Sequence, residues 1–171
     1  MKPQDIVILL KLLLIESSEW RFESLAKTLH MSSSTIFLAL KRAEMSGLYH
    51  KKTRTVNRTA FLEFLLFGLK YVFPVDIGKK AKGIPTAHSA NPLARLIVSE
   101  SDIYVWKSVF GNVRGQTIEP LYPTVPLLAF EDVQLYELLA LIDALRVGKA
   151  REKQLAATLL TRKIMNKNAH Q

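Results

Sequence analysis

A chain of 171 residues, 49% hydrophobic and 23% charged, is long enough to bury a sizeable core and has a globular composition, not a disordered one. It contains no cysteine, which excludes disulfides and thiolate metal sites. Its net charge of +9 is uneven: residues 1–60 hold ten Lys/Arg against five Asp/Glu (+5), 61–82 four against two (+2), 83–145 three against seven (−4) and 146–171 seven against one (+6). Cations at both ends of an acidic middle suit contact with a polyanion, and solvated helix faces produce the same pattern.

Pro3-Gln4-Asp5 opens a first helix with Ile6, Leu9, Leu10, Leu13 and Leu14 on one stripe. Ile8, Leu12 and Ile15 add so much apolar surface that this helix must be nearly surrounded, either by a second copy or by the interior of the monomer. The run is short, carries Lys11 and lacks a small-residue cleavage pattern, so it reads as neither a signal peptide nor a membrane span. Phe22, Leu25, Ala26 and Leu29 recur at i, i+3, i+4 and i+7 and mark a second helix. His30-Met31-Ser32 forms a turn, and Ser32 caps a third helix that runs to about Ser46. Gly47 ends it in the left-handed region, and Leu48-Tyr49-His50 leaves as extended chain. Asn57 caps a helix from Arg58 to Phe73, stopped by Pro74, whose many Phe and Leu residues make it a central packing helix.

From Pro74 to about Ala90 the chain reads as a long loop. Asn91 and Pro92 begin a short helix to Ile97. Ile103–Phe110 and Val113–Ile118 flank Gly111-Asn112, the signal of a type II′ hairpin. Pro120, Pro123 and Pro126 favour a polyproline II segment across the core. Glu131-Asp132 opens a strongly apolar helix to Val147, Gly148 interrupts it, and a basic last helix spans Lys149 to about Lys167.

Leu25-Ala26, Met31-Ser32, Thr35-Ile36, Ala39-Leu40-Lys41-Arg42 and Gly47-Leu48 together resemble the MarR-type winged helix-turn-helix of bacterial regulators, over residues 4–73. The resemblance implies a winged helix-turn-helix over 1–73; the elements read above add a loop-rich segment with a β-hairpin over 74–130 and a C-terminal helical hairpin over 131–171 packed on the first part, for a mainly α protein. The resemblance also implies a homodimeric transcriptional regulator of the bacterial cytoplasm that binds double-stranded DNA, with the third helix in the major groove and no catalytic role.

On that helix Ile36, Ala39, Leu40 and Ala43 should face the core. Ser33, Ser34, Thr35, Phe37, Leu38, Lys41 and Arg42 would then be available to DNA, together with Met45. Lys51, Lys52, Arg54 and Arg58 would follow phosphates from the wing. The chain departs from the family at Phe37 and Leu38, where polar or basic base readers are usual. An apolar reading face also suits a different class, an interaction protein such as the antitoxin-like or regulatory half of a two-protein module.

No constellation of catalytic, metal or cofactor-binding residues stands out. His30, His50, His88 and His170 are isolated, with no helical metal spacing. Gly78 to Gly83 imitates the glycine spacing of a phosphate loop, but Ile84-Pro85 replaces the required Lys and Ser/Thr. Leu141 to Glu152 looks loosely like a helix of nucleotidyltransferase-like modules, without their Gly-Ser loop and Asp-x-Asp. It leaves a basic elbow, Arg146, Lys149, Arg151 and Lys153, suited to an anionic partner.

Overall fold

In chain order the helices are α1 (Pro3–Leu14), α2 (Phe22–Leu29) and α3 (Ser33–Met45), followed by a two-stranded hairpin of β1 (Tyr49–His50) and β2 (Thr55–Val56). A long helical rod comes next, then strand β3 (Lys80–Pro85), strands β4 (Tyr104–Lys107) and β5 (Val113–Thr117), and helices α6 (Val125–Glu131), α7 (Val133–Val147) and α8 (Ala150–Met165). This computed structural model describes residues 1–15, 19–97 and 102–165. The protein is mainly helical, with the antiparallel β1–β2 pair and a three-stranded sheet. Among the described residues no helix is long and apolar enough to cross a membrane.

α1 is the axis of the core. Ile6, Val7, Ile8, Leu9 and Leu10 are fully buried, between α3, α7 and β2. Each such side chain contributes roughly 1.5–3 kcal/mol relative to exposure. Burial within the monomer is therefore how this helix is surrounded, and it has no free apolar stripe for a second copy. The same holds for α7, where every residue from Leu138 to Leu145 is buried. Asp132 starts α7 by accepting from the Leu135 N–H at 3.0 Å, and its other carboxylate oxygen meets Lys11 Nζ at 2.7 Å. Lys11 lies in the last turn of α1, so one aspartate caps one helix and ties it to another.

Several expectations are corrected. The helix expected over Arg58–Phe73 is α4 (Arg58–Glu63), a π turn (Phe64–Gly68) and α5 (Leu69–Val72). It is not enclosed: Phe61, Leu62, Leu65 and Leu69 face inward, whereas Phe67, Tyr71 and Val72 are exposed. The expected loop over 74–90 contains β3 and a 3-10 turn at Ala87–Ser89, and the short helix after Pro92 is only a 3-10 turn at Leu93–Arg95. The segment after Pro120 is not polyproline II throughout; Pro126 lies in the first turn of α6, where a missing N–H is harmless. The expected end of the last helix near Lys167 lies outside the described residues.

The predicted hairpin is also absent. β4 and β5 are parallel to each other, and both are antiparallel to β3, closing a three-stranded barrel. Gly83 is opposite both Lys107 and Val113, so the chain leaves β4 and enters β5 at one crossing over β3. Glycine is required there. A Cβ on Gly111 would come within 2.1 Å of the Gly83 carbonyl carbon, and one on Gly83 within 2.2 Å of the Trp106 carbonyl oxygen. Gly111 therefore serves a close backbone crossing, and not a II′ turn.

A buried polar knot docks this barrel on α7. Asp143 accepts from Thr86 Oγ1 at 2.8 Å, Trp106 Nε1 at 2.6 Å and Arg146 Nη1 at 2.8 Å. Burial pushes its carboxyl up from the usual range, and Arg146 with the two neutral donors works against that. Arg146 also donates to the carbonyls of Phe73 and Glu119 and is 5% exposed, so it is an internal clamp and not part of a basic elbow. Nearby, His88 Nε2 meets the Asp102 carbonyl at 3.1 Å, and its ring lies edge-on to Tyr104.

Candidate nucleic-acid interface

Three local devices fix α3. Ser32 Oγ accepts from the Thr35 N–H at 3.1 Å, which satisfies a free donor of the first turn. At the other end the Gly47 N–H donates to Glu44 and the Leu48 N–H to Ala43, a Schellman closure with Gly47 at φ +71. Between them Ile36, Ala39, Leu40 and Ala43 are buried, the four positions the helical period assigns to the core. The turn before α3 closes with His30 in the left-handed region and the Met31 N–H on the Ala26 carbonyl. His30 Nε2 meets Glu131 Oε2 at 2.8 Å, so α6 braces this corner.

The exposed residues of α3 are Ser33, Ser34, Phe37, Leu38, Lys41, Glu44 and Met45. Thr35 is half-buried, and its hydroxyl is 2.8 Å from Ser32 Oγ, within the cap. Phe37 and Leu38 are 56% and 50% exposed, and Met45 is 81% exposed. Phe22 extends this surface: its ring lies 6.3 Å from Phe37 and 5.2 Å from the buried Trp20. An apolar strip thus runs across α2 and α3, with Lys41 as its cation and Glu44 as an anion one turn further on.

β1 and β2 pair Tyr49 with Val56 and His50 with Thr55, leaving Lys51, Lys52, Thr53 and Arg54 as the turn. Lys51 and Lys52 are exposed at its tip. Burial pushes the Tyr49 phenol up from its ordinary value, and neighbouring Arg54 pulls the other way.

The arginines singled out from the sequence are used differently. Arg42 donates from Nε and Nη2 to both oxygens of Asp5, at 2.9 and 2.6 Å, and Asp5 is fully buried. Arg54 stacks 4.1 Å over the Trp20 ring and donates to the Trp20 carbonyl. Arg58 donates to the carbonyls of Ile164 and Leu13. All three guanidiniums fasten α3, the hairpin or α4 to distant chain. Lys41, Lys51 and Lys52 are the cations of the expected set left exposed and without an ion pair among the described residues.

No protein-family model, curated protein or solved structure matches this chain. The geometry of α3 and its hairpin therefore stands on its own. It can offer hydroxyls at Ser33 and Ser34, apolar contact at Phe37 and Leu38, and point charges at Lys41, Lys51 and Lys52.

Proposed function

We propose that the protein is a double-stranded DNA-binding regulator of the MarR-type winged helix-turn-helix kind, with α3 in the major groove and the β1–β2 hairpin as the wing. One observation carries the reading. α3 is fastened at both ends and along its inner side, while its outer side and the lysine-tipped hairpin next to it are open. Ser33 and Ser34 suit phosphate or base edges, Leu38 a thymine methyl, and Lys41, Lys51 and Lys52 phosphates. A homodimer would present two such helices to half-sites about one DNA turn apart. It would join through Phe67, Tyr71 and Val72, because α1 and α7 are enclosed.

Neutralising Lys41, Lys51 and Lys52 together tests this reading. Duplex affinity should fall on every sequence, and the slope of log affinity against log salt should flatten by up to about 0.9 for each phosphate no longer neutralised. An unchanged slope removes α3 and the hairpin from the interface. A second reading is favoured by the apolar strip of Phe22, Phe37, Leu38 and Met45: a partner protein covers α3, as in a two-protein regulatory module.

A further inference from the structure

The β3–β4–β5 barrel carries charge that the α3 surface does not use. Segments 79–85 and 102–118 contain Lys79, Lys80, Lys82, Lys107 and Arg114 against Asp102, five cations to one anion. The antiparallel register sets Lys82 directly opposite Arg114, and Lys80 opposite Gln116. Lys80, Lys82 and Arg114 therefore share one face of the β3–β5 ribbon, and like charges opposed across a ladder work against its formation. Lys80 forms an exposed pair with Asp102 at 3.6 Å. Lys82, Lys107 and Arg114 are exposed, and no described carboxylate lies within bridging distance of them. Four carboxylates of the acidic middle are turned to other partners: Glu131, Asp132, Glu137 and Asp143 pair with His30, Lys11, Lys163 and Arg146, and Asp102 meets Lys80 alone of the barrel cations.

An apolar tip sits at the same crossing. The Ser108 N–H donates to the Lys82 carbonyl at 3.2 Å, and the Gly111 N–H to the Ser108 carbonyl at 3.2 Å. The Phe110 N–H donates to Ser108 Oγ, and Gly111 lies hard against Gly83. The turn is thus pinned to β3 beside Lys82, and it holds Val109 and Phe110 outward at 80% and 73% exposure. An exposed aromatic ring on a pinned turn beside unpaired cations is the arrangement that stacks a base while its phosphates are held. A duplex hides its base faces, and an acidic peptide has none.

We propose that this barrel face binds single-stranded nucleic acid, with Phe110 stacking on a base and Lys82 and Arg114 contacting the phosphates on either side. The surface is separate from α3, so it stands or falls independently of duplex recognition.

Fluorescence anisotropy with a labelled oligothymidylate, a labelled duplex and a labelled polyglutamate tests the assignment on the full chain. Phe110→Ala should weaken oligothymidylate binding by about five- to 150-fold, the range for removing one base stack. Lys82→Ala/Arg114→Ala should weaken it further and flatten its salt slope by about 1.4, from two phosphates left without a cation. Both variants alter exposed side chains, and circular dichroism checks that they fold. Duplex binding should be unchanged in both. The proposal is overturned if the native chain does not bind the oligonucleotide, or if Phe110→Ala binds it normally. It is also overturned if Lys51→Ala/Lys52→Ala abolishes the binding instead, or if polyglutamate binds while the oligonucleotide does not.

Discussion

Arg42→Ala separates an internal arginine from a DNA-reading one. Asp5 is fully buried and accepts both guanidinium bonds, while Arg42 itself is 26% exposed along its side chain. Breaking a buried pair by removing one partner costs about 3–5 kcal/mol, because a charge is left uncompensated. Asp5 retains the Lys2 N–H at 2.8 Å, and solvent reaches the edge of the site, so a value of about 3 kcal/mol is expected. At about 2–4 °C per kcal/mol for a chain of this size, the midpoint should fall by about 6–12 °C. Asp5→Ala/Arg42→Met should recover part of that loss, since no uncompensated charge remains, while the Lys2 N–H loses its acceptor. Thermal melts followed by circular dichroism measure each variant, and duplex titration at a temperature where Arg42→Ala is folded should give near-native affinity. A variant that melts within about 1 °C of the parent yet loses DNA binding would refute the reasoning and return Arg42 to the interface.

Leu38→Ala, at a half-exposed position, should change stability by less than about 0.5 kcal/mol and weaken binding to a preferred duplex by roughly 1 kcal/mol; retained duplex affinity would favour the partner-protein reading. Gly83→Ala would drive a Cβ into the Trp106 carbonyl and should destabilise the protein by about 1–3 kcal/mol or more, seen as a lower urea midpoint, whereas an equal midpoint would mean that the strands can part at the crossing without cost. The Tyr136 phenol is pushed up to about 12 by burial, and it donates to the Pro85 carbonyl at 2.6 Å. Its folded value exceeds the unfolded one near 10, so the stability it contributes is complete below pH 10 and lost as pH rises toward 12. Tyr136→Phe should cost about 1 kcal/mol at neutral pH and remove a late step from the 295 nm alkaline titration; a titration curve identical to the parent's would contradict that assignment.

The helices α1, α2, α3 and α7 could be read from the chain because their signals are local. The Ser32, Asn57 and Asp132 caps each bond a backbone N–H three residues on, and the α3 core positions follow from helical period alone. The exposure of Phe37, Leu38 and Lys41 follows from the same period. The fate of the arginines does not, since Arg42, Arg54 and Arg58 reach partners 37, 34 and 106 residues away. Which carboxylate or carbonyl a guanidinium finds depends on helix packing, and the sequence contains no periodic trace of that. The barrel was hidden for a related reason. Lys-Ala-Lys-Gly looks like loop until residues 104–117 supply its hydrogen bonds, and Gly111-Asn112 looks like a hairpin turn until Gly83 crosses beneath it. Charge behaved likewise. The segment 83–145 is acidic by count, but tertiary pairing turns four of its carboxylates to other partners, and on the barrel Asp102 meets only Lys80, which leaves Lys82 and Arg114 unpaired. Local hydrogen bonding and periodicity were thus enough to specify α1, α2, α3 and α7, while α6, strand register and ion pairing were decided only once distant segments met.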